Sequence, residues 1–222
     1  MEKFKEHKRV NDIFLGPLER PALRWLAAHM PSWMTPDLCT AIGVFGALFT
    51  MISYLLSNIN PAYLWLASLG FIINWFGDSL DGTLARYRHS ERPRYGYYID
   101  HTTDLGCQVM IFLGLGLTPY VSFNVACLAL ISYLLLSSQV YLRTYVIGEF
   151  TISYGKLGPT ESRVIAILLN TSMYFFGLQG FKLIQVEIIV YDIVVVVIAL
   201  LLTGFFVNTT LRDARNLAAS GE

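Results

Sequence analysis

The fold class predicted by this sequence is an all-α integral membrane protein, with six transmembrane helices and an N-terminal amphipathic helix lying in the interface. Three observations carry the prediction. Hydrophobic residues make up 55% of the 222 residues and charged residues only 14%, against about 25% charged residues in soluble domains. The mean hydropathy is +0.51. Beyond residue 35 the apolar residues gather into six runs, each near the roughly 20 residues that cross a bilayer as a helix. A single membrane domain is expected, divided into an interfacial region (1–34), a six-helix bundle (35–211) and a tail (212–222). The formal net charge is +0, and no nucleic-acid partner is predicted. The polar N-terminus is not followed by a short apolar stretch, so no cleavable signal peptide is expected.

The interfacial helix is read from Val10, Phe14, Leu18, Ala22, Trp25 and Leu26, which recur at helical spacing. Asp12, Glu19, Arg20 and Arg24 fall elsewhere on it. Pro17 and Pro21 predict a start or kink near Pro17. The first span is expected from about Leu38 to Leu56, with Thr35 as N-cap, Pro36 at the first helical position and Asp37 against the positive helix end. The others are expected at about Tyr63–Asp81, Tyr97–Leu117, Val121–Val146, Val164–Phe181 and Ile188–Leu211. Gly43, Gly46, Gly70, Gly114 and Gly116 suit close helix contacts. Cys39, Cys107 and Cys127 are far apart with no Cys-x-x-Cys pairing and read as small buried residues.

With six spans, Lys3, Lys5, Lys8, Arg9, Arg20, Arg24, Arg86, Arg88, Arg92, Arg94, Arg143, Lys156, Arg163, Arg212 and Arg215 all fall on one side, and Lys182 falls on the other. The positive-inside rule makes the first side cytoplasmic and puts both termini there.

The chemistry is concentrated where the second span meets the third. Asp78 and Asp81 are three apart, and Asp100 and Asp104 are four apart; on helices each pair shares a face. A basic hairpin between them would bring the pairs together. Such acids at a membrane are costly unless something neutralises them. Two Mg²⁺ or Mn²⁺ ions about 3.5–4 Å apart would do so and would clamp a pyrophosphate. Gly82 and Ala85 leave a bare helix face, Arg86 offers a fork-shaped cation for phosphate, and Gly96 is read as a sharp turn into the third span.

Asp78, Asp81, Gly82, Ala85, Arg86, Gly96, Asp100 and Asp104 resemble the signature of the CDP-alcohol phosphotransferases, membrane enzymes of phospholipid head-group synthesis: Asp-x2-Asp-Gly-x2-Ala-Arg, a spacer, then Gly-x3-Asp-x3-Asp. Every signature position is filled, with a spacer one residue longer than usual. Thr35-Pro36-Asp37-Leu38-Cys39-Thr40 resembles the family's approach to the first span. The resemblance implies that the four acids share two metal ions, that Asp78, Gly82, Ala85, Arg86, Gly96 and Thr40 line the site for the CDP moiety, and that Asp104 is the base, with His101 acting as or tuning it. It also implies a CDP-linked lipid or alcohol donor, a polar alcohol or lipid acceptor, CMP release and a homodimer.

The substrate pair is open at this stage. Arg143, Lys156 and Arg163, with Arg212 and Arg215, suit a phosphorylated acceptor, and lean the reading toward CDP-diacylglycerol with a polar acceptor such as glycerol phosphate, inositol phosphate or serine. His101, directly after Asp100, and Thr160-Glu161 point instead to a CDP-choline or CDP-ethanolamine donor with diacylglycerol as acceptor. Tyr141, Tyr145 and Tyr154 are candidate aromatic faces for a quaternary amine; Thr160 and Glu161 read more readily as a helix cap. A cation transporter is a third reading, weakened because the acids sit at helix ends beside Arg86. A non-catalytic scaffold is a fourth. Asp192 and Glu187 read as interfacial.

Overall fold

The computed structural model describes residues 8–10, 13–151, 158–183 and 186–220. In chain order the elements are β1 (Lys8–Val10), α1 (Gly16–His29), α2 (Pro36–Leu56), α3 (Tyr63–Tyr87), α4 (Pro93–Gly116) and α5 (Phe123–Ile147). There follow β2 (Glu149–Thr151), α6 (Pro159–Phe176), β3 (Gly180–Leu183), β4 (Val186–Ile189) and α7 (Val190–Ser220). The sequence gives little warning of the strands: β1 pairs in parallel with β2, and β3 antiparallel with β4.

Each predicted apolar run is built on a helix, but the boundaries move. Hydropathy marks only the apolar stretch of a segment, whereas caps and prolines end the helix itself. Thus α3 continues past Asp81, and α4 and α6 begin at Pro93 and Pro159 in their first turns. At 25 residues, α3 is about 37 Å long at 1.5 Å per residue, more than a bilayer core of about 30 Å. The fifth run stops early. Gly177 takes a positive φ of 65°, a conformation that suits glycine, and the chain beyond it forms β3 rather than more helix. By length and composition α2, α5 and α7 can each cross a membrane. The other three long helices carry the charged site residues.

Helix α1 starts at Gly16 with Pro17 in its first turn, as the prolines predict. It is apolar on two sides. Leu23 and Ala27 are buried against the protein, while Leu18 and Trp25, with Phe14 just before the helix, stay exposed, available to an interface. Both ends of α1 are tied down. Leu15 N donates to Glu161 Oε1 at 2.7 Å. The Arg88 guanidinium, just beyond α3, donates to the carbonyls of Met30 (3.1 Å), Pro31 (2.8 Å) and Met34.

Thr35 caps α2 as predicted, its Oγ1 accepting from Leu38 N at 3.2 Å. Helices α2 and α3 cross glycine on glycine. A Cβ on Gly46 would lie 2.8 Å from Asn74 Cα, and one on Gly77 would lie 2.6 Å from Gly43 Cα. Gly114 of α4 rides on α2, where an added Cβ would lie 2.9 Å from Met51 Cα. Helix α2 thus packs on both α3 and α4, α5 packs on α4 and α7, and α6 packs on α3. The main apolar core, including Tyr54, Phe71, Tyr120, Met173 and Tyr191, fills the end remote from the acids. A smaller cluster of Ala27, Met34, Cys39, Leu80 and Leu84 supports α1 beside them. Asp192, read as interfacial, caps α5: its carboxylate accepts from Ser122 N at 2.7 Å and Ser122 Oγ at 2.5 Å. Cys39, Cys107 and Cys127 are unbridged.

Candidate active site

The last turns of α3 and the first turns of α4 face a cavity of about 960 Å³. The five residues from Arg88 to Arg92 join the two helices, with His89 at φ 51°. Gly96 does not make this turn. It lies inside α4, which Pro93 has already started, and a Cβ there would meet nothing within 4 Å. What glycine provides at this position is open space on the cavity wall.

Asp78, Asp81, Gly82, Ala85, Arg86, Gly96, Asp100, His101, Asp104, Thr40 and Arg163 all line the cavity. Asp78 Oδ2 meets Arg163 Nη2 of α6 at 2.6 Å. Arg163 Nε donates to Asn74 Oδ1 at 2.8 Å, and Asn74 Nδ2 donates to Gly43 O at 2.9 Å. One chain of bonds therefore runs from α6 through α3 to α2. Arg163 Nη1 is buried and has no hydrogen-bond partner among the described residues. Thr40 Oγ1 donates to Asp81 Oδ2 at 2.7 Å. Arg86 is exposed, with Nη2 at 3.2 Å from Thr83 Oγ1.

On the α4 side, ligand atoms of Asp100, His101 and Asp104 lie within 4.8 Å of one another. His101 Nδ1 stands 3.3 Å from Asp100 Oδ2. Its ring stacks on Tyr141 with centroids 4.9 Å apart, and Tyr97 meets it edge-on at 4.1 Å. Asp104 feels the charges of Asp78 and Asp100 against that of Arg163. Asp81 feels those of Asp100 and Asp78. Four carboxylates from two helices thus converge, with the Arg163 guanidinium bonded to one of them. This donor set, hard oxygens in excess, fits Mg²⁺ or Mn²⁺.

Other sequence candidates are engaged elsewhere. Arg143 meets Asp213 of α7 at 3.2 Å and is not part of the cavity wall. Glu161 acts as a cap, Oε2 accepting from Gly158 N at 2.9 Å while Oε1 holds Leu15 N. Tyr145 faces outward at 87% exposure. Lys156 and Tyr154, and the side chains of Lys182 and Glu187, lie outside the described residues.

Sequence reasoning missed the contribution of α1. Glu19, Arg20 and Arg24 line the cavity. Their spacing marks them as one polar face, but nothing local to α1 says that this face points at the acids.

A helical bundle whose acids converge on a large cavity also lined by several arginines is suited to binding a metal-neutralised phosphate group, and this is the class of membrane transferase that the comparisons show. The chain belongs to the CDP-alcohol phosphatidyltransferase family, whose model matches residues 33–205. The chain is 28% identical over 191 residues to cholinephosphotransferase 1 of Gallus gallus, covering 80% of this chain and 55% of that protein. It is 26% identical over 187 residues to the Mus musculus protein of the same name (80% and 46%) and 27% identical over 192 residues to the Homo sapiens one (80% and 45%). The chain spans about half the length of these curated relatives. The family uses divalent metals, in keeping with the donor set.

Proposed function

We propose that this protein transfers the phospho-amino-alcohol of a CDP-linked donor, of the choline or ethanolamine type, to the hydroxyl of diacylglycerol and releases CMP. The observation that carries the reading is His101, gathered with Asp100 and Asp104 and fixed between Tyr97 and Tyr141. The names of the relatives support it. The basic cluster that favoured a phosphorylated acceptor is thinned, because Arg143 is occupied by Asp213 and Arg163 by Asp78.

Asp78, Asp81, Asp100 and Asp104 would hold two Mg²⁺ or Mn²⁺ ions, which when bound neutralise the pyrophosphate and stabilise the departing CMP phosphate. Gly82, Ala85 and Gly96 leave the wall bare for the nucleotide, and Arg86 reaches its phosphates. Thr40 orients Asp81, and Asn74 orients Arg163 against Asp78. Asp104 and His101 are the groups placed to take the proton of the acceptor hydroxyl. The new bond joins the acceptor oxygen to the phosphorus distal to cytidine, and the bond to the bridging oxygen breaks. No covalent enzyme intermediate is needed, because positioning and charge neutralisation suffice. The distribution of arginines supports both termini and the active site facing the cytoplasm, and the family resemblance supports a homodimer.

A second reading, CDP-diacylglycerol with a phosphorylated polar acceptor, is favoured by the buried Nη1 of Arg163, a donor suited to one more phosphate oxygen. The two are separated by supplying purified protein and Mg²⁺ with CDP-choline or CDP-ethanolamine plus diacylglycerol, and separately with CDP-diacylglycerol plus glycerol phosphate, inositol phosphate, inositol or serine. CMP is expected from the first set alone; CMP from the second alone selects the second reading. His101→Gln is expected to lower kcat by about 10²-fold or more, in the range of general-base removal, with KM for the donor little changed. Undiminished kcat would exclude His101 from the proton transfer.

A further inference from the structure

The family match begins at residue 33, so α1 lies outside it, yet α1 forms one wall of the cavity. Between its two tethered ends, α1 is also held through Glu19. One oxygen, Oε1, accepts from Trp75 Nε1 at 2.8 Å, Ser79 Oγ at 3.2 Å and Thr160 Oγ1 at 2.8 Å. The first two donors belong to α3 and the third to α6. Ser79 adjoins Asp78, and Thr160 precedes Arg163 by three residues, one turn of α6. The Glu19 bridge therefore runs beside the Arg163–Asp78 ion pair and joins the same two helices at nearly the same level.

We propose that Glu19 is a positioning residue for the transfer reaction: it holds α6 in register with α3, so that Arg163 fixes the Asp78 carboxylate among the other three acids. The proposal rests on the reading of those acids as the metal site. A carboxylate fits the task because it accepts several hydrogen bonds on one oxygen and strengthens each by its charge. Substituting groups that orient metal ligands from outside the coordination shell lowers metal affinity about 10–100-fold, and Glu19 stands one step further back through Ser79 and Thr160.

The test measures Mn²⁺ affinity by electron paramagnetic resonance on purified protein in detergent, beside CMP release. Glu19→Ala is expected to weaken Mn²⁺ binding about tenfold and to lower kcat more than it raises donor KM. Glu19→Gln, which keeps an accepting oxygen, is expected to recover part of both. Trp25→Ala, on the exposed side of α1, is expected to change neither. Thr160→Val removes only one of the three donors and serves if Glu19→Ala does not fold. It is expected to weaken Mn²⁺ binding severalfold. Mn²⁺ affinity within twofold of wild type in the folded Glu19→Ala protein, or in Thr160→Val where Glu19→Ala does not fold, overturns the proposal. The affinity is read without substrate. Wild-type protein that binds Mn²⁺ but releases no CMP contradicts the proposed reaction and leaves the Glu19 result to stand or fall by itself.

Discussion

Asp104→Asn and Asp100→Asn are each expected to lower CMP release by at least about 10³-fold, the scale on which loss of a central catalytic carboxylate is felt, while the protein stays folded and inserted. The asparagine keeps the size of the side chain and one accepting oxygen but removes the charge. Asp104 lies near both Asp78 and Asp100, so the substitution relieves repulsion within the free protein. Thermal stability without metal should therefore hold or rise, while the stabilisation added by Mg²⁺ should shrink, since ligand stabilisation follows affinity for the folded state. Opposite signs for stability and activity are what separate a functional acid from a structural one. Either variant retaining full CMP release would sink the two-metal reading.

The second large effect concerns packing. Gly77→Val is expected to cost about 3 kcal/mol, the upper part of the usual overpacking range, because a Cβ on Gly77 would collide with the backbone of α2 at Gly43 and at Cys39 O. Backbone cannot swing aside as a flexible side chain can. Residue 77 adjoins Asp78, and Cys39 adjoins Thr40, which holds Asp81 at 2.7 Å. Parting the two helices here pulls that hydrogen bond and moves both acids of α3. Gly82→Ala is a useful contrast, since a Cβ there meets only the end of Arg86, at 3.3 Å. Thermal melts of both variants in one detergent check the difference. Equal melting temperatures would show that the α2–α3 crossing is looser than the glycines indicate.

Much of this was legible in the sequence, for local reasons. Asp78, Asp81, Asp100 and Asp104 announce themselves because spacing alone places each pair on one helical face. Thr35 declares its cap by adjacency to Pro36 and Asp37. What escaped depends on partners distant in the chain. Arg143 reads like an acceptor ligand until Asp213, 70 residues on, is seen to occupy it. Glu161 reads like a site residue or a local cap, and it proves to be both a cap and the tether of Leu15, 146 residues away. Helices α3 and α4 extend past the apolar runs that Asp81 closes and Tyr97 opens, because Pro93 starts α4 and α3 continues to Tyr87 through polar residues that hydropathy does not count. Glu19 was visible as a polar residue on an amphipathic helix, but its direction is a property of how α1 docks on α3.

A phosphorus NMR time course of purified protein with CDP-choline, diacylglycerol and Mg²⁺ tests the proposed transfer most directly. The paired pyrophosphate signals are expected to decline as CMP and a phosphodiester lipid rise in equal amounts, and EDTA is expected to stop both. CMP rising with free phosphocholine and no lipid product, or a time course indifferent to EDTA, would contradict it.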